Sequence, residues 1–63
     1  MFKVGDIVEY LAPEADEQGV TYRVLEMNGD RCFIQAVAHN GAAFDMPILP
    51  QTVAQVAWLK VAA

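Results

Sequence analysis

Stapling chemistry is almost missing from this chain. It holds one cysteine, Cys32, and one histidine, His39. Together they can neither close an internal disulfide nor complete a zinc site, so only packing or association can hold the fold together. No cofactor or metal ligand set is expected. Positive charge is scarce as well: four Lys and Arg stand against eight Asp and Glu, for a formal net charge of −4. The bases, Lys3, Arg23, Arg31 and Lys60, are scattered, whereas phosphate backbones and anionic membranes are recognised by clustered ones. Nucleic acid is therefore not an expected partner. Long apolar runs are lacking too, because Met1-Phe2-Lys3 passes straight into Gly5-Asp6 without reaching the length of a signal peptide or membrane span. The expected location is cytoplasmic, with no membrane partner, and an unpaired thiol agrees with a reducing compartment.

What is present is apolar, 56% of 63 residues. A chain of that length forms one domain, residues 1–63, and buries only about 60% of the surface its unfolded form exposes. A thin core and little charge make a homo-oligomer an expected outcome, and the expected partner is this chain itself or another protein.

Turn signals cut the sequence into pieces too brief for helices and rich in Val, Ile, Tyr and Phe, which is how strands are punctuated. The piece 6–10 puts Val8 and Tyr10 on an inner face and Ile7 and Glu9 on the other. Residues 11–19 carry Pro13, Glu14, Asp16, Glu17 and Gly19, which suit a solvated loop holding at most one helical turn. Residues 20–27 and 31–38 read as two strands around Asn28-Gly29-Asp30, and Asn-Gly is a strong hairpin signal. Two registers compete. With Asn28 and Gly29 alone as the loop, Arg23 faces Ile34 and mixes polar with apolar. With the loop spanning Asn28 to Asp30, Val24 faces Ile34, Tyr22 faces Ala36 and Arg23 faces Gln35, which sorts the two faces better. The second register also sets Leu25 opposite Phe33 on the outer face.

A second turn follows at His39-Asn40-Gly41, and Pro47 and Pro50 limit residues 42–50 to an edge strand. Residues 51–55 read as a strand, then comes a turn and a closing strand. A helix over 51–63 competes with that reading, since Val53, Val56 and Leu59 recur at three-residue spacing.

Gly5-Asp6-Ile7-Val8, a long loop, a hairpin and the closing Val53-Ala54-Gln55-Val56-Ala57-Trp58-Leu59-Lys60-Val61 resemble bacterial SH3-like small β-barrels. The resemblance implies an all-β, five-stranded SH3-like barrel with a short 3₁₀ turn, Val56 to Leu59, before the last strand, and with Leu59 turned into the core. Val56-Ala57-Trp58-Leu59 is also similar to the closing segment of the plasmid-borne type II dihydrofolate reductases. Their pore-lining Gln and Tyr are replaced here by Thr52 and Ala54, so the resemblance carries the fold and not the activity.

Other chemistry is weaker. Cys32 with His39 as base is the one nucleophile pairing available, and an inert buried thiol is the plainer reading of Cys32. Glu14, Asp16 and Glu17 lack the regular oxygen spacing of a Ca²⁺ loop. Trp58 admits two placements: core, or exposed beside Tyr10 or Tyr22 as an aromatic peptide groove with the acidic loop next to it. The expected function is a non-enzymatic interaction module, self-associating through an outer apolar patch of Ile7, Leu25 and Phe33, with Trp58 as a further interaction residue. The alternative is a small-ligand-binding or reductase-like barrel with its site at a subunit interface.

Overall fold

The computed structural model describes residues 2–44 and 50–62, and its strands occupy the pieces that turn residues mark out. They are β1 (Ile7–Tyr10), β2 (Val20–Asn28), β3 (Arg31–His39), β4 (Ala42–Ala43), β5 (Gln51–Gln55) and β6 (Leu59–Val61). All pairings are antiparallel, in one open sheet of order β4-β3-β2-β1-β6, with β5 also on β3. The described residues thus form six strands where a five-stranded barrel was expected. The sixth is the two-residue β4, at the start of the stretch read as at most an edge strand, formed where Asn40 and Gly41 both take positive φ, 51° and 84°, and turn the chain back on β3. Residues 45–49 of the expected edge stretch, with Pro47, lie outside the described residues.

The hairpin of β2 and β3 combines two registers. Val24 faces Ile34, Arg23 faces Gln35 and Tyr22 faces Ala36, as the sorting of faces requires. Nearer the turn the pairing shifts by one: Glu26, not Leu25, faces Phe33, and Asn28 faces Arg31. The loop is consequently Gly29-Asp30, shorter than the expected Asn28 to Asp30, with Gly29 at φ +65 in the first central position that a type II′ turn reserves for glycine. Leu25 is the extra residue of a β-bulge. The physical reason lies in Val24 and Met27, which both pack inward although three residues apart; strict alternation cannot place them on one face, and the bulge absorbs the odd step.

One core forms on the inner face from Phe2, Val8, Val20, Tyr22, Val24, Cys32, Ile34, Ala54 and Leu59. Val8, Val24 and Ile34 are almost wholly enclosed, and each contributes about 1.5–3 kcal/mol by leaving water. The helical reading of the C-terminal segment is overturned. Gln51–Gln55 is a strand, Val56–Trp58 a single 3₁₀ turn, and Leu59 enters the core as the first residue of β6. No helix of the described residues is long and apolar enough to cross a membrane.

Candidate functional site

Pairing of β6 with β1 brings Leu59 opposite Tyr10, and this carries the preceding 3₁₀ turn over the start of the acidic loop. The Leu11 N–H donates to the Trp58 carbonyl at 2.9 Å, tying the two segments together. Between them lies a groove of about 430 Å³ lined by Tyr10, Leu11, Ala12, Glu14, Glu17, Ala57 and Trp58. Trp58 is 51% exposed. The core placement of this residue is therefore excluded, and its ring forms one apolar wall.

The opposite wall is acidic. A second 3₁₀ turn, Ala15–Glu17, presents the carboxylates. Its shape is held by the Glu14 N–H, which donates to Glu17 Oε1 at 2.9 Å, and by the Glu17 N–H, which donates to the Glu14 carbonyl at the same distance. Among the described residues no base pairs with Glu14, Asp16 or Glu17, whereas Lys60 meets Glu9 at 3.2 Å and Lys3 meets Asp6 at 3.8 Å. The groove floor is stiffened by Tyr10 against Tyr22, edge to face, with ring centroids 5.4 Å apart. Burial first, then Tyr10, Glu17 and Asp16, pushes the Tyr22 phenol up to about 12; burial, Glu17 and Cys32 also raise that of Tyr10. A smaller recess of about 280 Å³ shares Tyr10, Leu11 and Glu17 and extends the groove toward Glu9 and Lys60.

No protein-family model, curated protein or solved structure matches this chain.

The four residues expected to mediate interaction do not converge on one place. Trp58 belongs to the groove. Ile7 lies on β1 opposite Arg23, Leu25 at the bulge of β2, and Phe33 on β3 between Glu26 and Val53, and all three are half-buried outside the core cluster. The large exposed side chain of that face is Val53, at 52%. Cys32 and His39 stand near opposite ends of β3, roughly 23 Å apart at the usual rise per strand residue, and cannot meet. Cys32 is buried, which raises its thiol pKa and suppresses the thiolate. Thr52 and Ala54, the positions that depart from the reductases, face Ile34 and Cys32 across the β3–β5 pair, with Ala54 buried. Among the described residues no three potential metal ligands come together, the acidic loop included.

Leu11 is the groove residue that sequence pattern does not reach. It opens a segment read as solvated loop, and only the hydrogen bond to Trp58 reveals its role.

Proposed function

We propose that this chain is a non-enzymatic interaction module of SH3-like barrel type that takes an extended, basic peptide in the groove between Tyr10 and Trp58. The observation that carries the reading is the half-exposed Trp58 ring lining one groove with Glu14 and Glu17, whose charges no base among the described residues neutralises. A large aromatic left in water on a 63-residue chain is withheld from the core that most needs it. Such a wall binds proline rings and the aliphatic stems of Lys or Arg, and the carboxylates take the cationic head. The barrel assignment is supported by the order β6-β1-β2-β3-β5, whose two end strands are joined in sequence by the 3₁₀ turn Val56–Trp58.

Trp58 is the sole tryptophan, so its fluorescence reports the groove directly. Titration with peptides mixing Pro with Lys or Arg is expected to shift the emission, and Trp58→Ala to weaken binding by about 2 kcal/mol, roughly thirtyfold, with little change in melting temperature. Glu14→Gln with Glu17→Gln is expected to weaken binding and flatten its salt dependence. Binding that survives Trp58→Ala unchanged rules the groove out.

A second reading, self-association, is favoured by a separate observation. Val53 lies exposed directly opposite Phe33, on the face away from the core.

A further inference from the structure

Among the described residues, β5 hydrogen-bonds as a strand only to β3, which leaves its other edge open. Open edges are normally blunted by charge, proline or a bulge. Residues Gln51–Gln55 have none of these: the strand reads Gln-Thr-Val-Ala-Gln, pairs in unbroken register, and is exposed at every position except Ala54.

We propose that this edge pairs antiparallel with the same edge of a second copy, about a two-fold axis through Val53. The inference rests on the self-association reading and specifies its geometry. Two observations select a second copy as the occupant. The first is the symmetry of the strand itself. Turned about Val53, Gln51 of one chain faces Gln55 of the other and Thr52 faces Ala54, so amide meets amide and small side chain meets small side chain. The Phe33–Val53 pair of each copy then joins its counterpart in one apolar row across four strands.

The second is charge. Each copy carries a net −4, and bringing two together is repulsive wherever acids meet. Among the described residues the acids sit on or near β1, in the loop, on β2 and in the hairpin turn, and none is on β3, β4 or β5. The nearest is Asp30, beyond the end of β5, where its carbonyl accepts the Val56 N–H and Arg31 follows it directly. Among the described residues, an approach through β5 keeps the acids of two copies apart.

Sedimentation of the purified chain over a wide concentration range is expected to show a dimer. Val53→Lys, at an exposed position, should shift it to monomer with an unchanged far-ultraviolet spectrum. The register is tested by a charge pair: Gln51→Lys with Gln55→Lys sets like charges across the axis and should give monomer, whereas Gln51→Lys with Gln55→Glu sets opposite charges there and should keep the dimer. These two double variants decide the matter even if Val53→Lys fails to fold. A wild-type monomer at every concentration ends the self-association reading and this proposal together. A wild-type dimer that both double variants leave intact preserves self-association and overturns the β5 edge as its site.

Discussion

At the scale of single residues, the sharpest consequence concerns Tyr22. Its folded-state pKa is raised to about 12 by burial and by Tyr10, Glu17 and Asp16, while the unfolded chain ionises it at the ordinary value of about 10. Because the folded state holds the proton more tightly, the stabilisation is complete below the unfolded value and is lost as pH climbs from there through the folded one. Urea unfolding measured across that alkaline window is expected to show falling stability in the wild type. Tyr22→Phe should flatten the decline, leaving the part due to Tyr10 and Cys32, whose shifts have the same sign. A decline of equal steepness in the variant would remove Tyr22 as its source. The core residue of this face is legible in advance from alternation with Val24, but the influence of the acidic loop's charges on it is not, since Asp16 and Glu17 carry no sign in the sequence of which strand they approach.

Among the elements, the acidic loop and the β3–β4 turn lean on each other through one glycine. Gly19 has φ +77, and the Asn40 N–H donates to its carbonyl at 2.8 Å. A Cβ added there would overlap the Asn40 side-chain oxygen. Gly19→Ala therefore combines an unfavourable backbone region with a steric clash, and is expected to cost about 1–3 kcal/mol, read as a lower urea midpoint at constant slope. An unchanged midpoint would mean that the loop closes without this contact. The hairpin teaches the complementary lesson. Pairing of Val24 with Ile34 is readable from the sorting of polar and apolar residues, yet the bulge at Leu25 is not, because it arises from the demand that Met27 also reach the core.

For the whole molecule, one thin core carries the stability. A domain of 63 residues is held by about 3–9 kcal/mol in all. Ile34 is fully enclosed at its centre, so Ile34→Ala, at about 2–5 kcal/mol, is expected to remove a large part of that stability and lower the urea midpoint steeply, whereas Ile34→Val, at about 0.5–1.5 kcal/mol, should lower it slightly. Urea melts followed by circular dichroism separate the two outcomes, and an unchanged midpoint for the alanine variant would show that the core is supported from elsewhere, as by a second copy.

Local chemistry determined the first three strands and their inward residues, because two-residue alternation and turn residues act between near neighbours. Val8, Tyr22, Val24 and Ile34 follow from it directly and are in the core; Leu59, also there, followed from the resemblance, since periodicity left a helix over 51–63 open. Tertiary structure alone decided that Trp58 faces water beside Leu11, that Glu26 displaces Leu25 opposite Phe33, and that β5 pairs with β3. Those are outcomes of which strands pair across the sheet, and pairing joins residues far apart in the chain whose local patterns contain no record of each other.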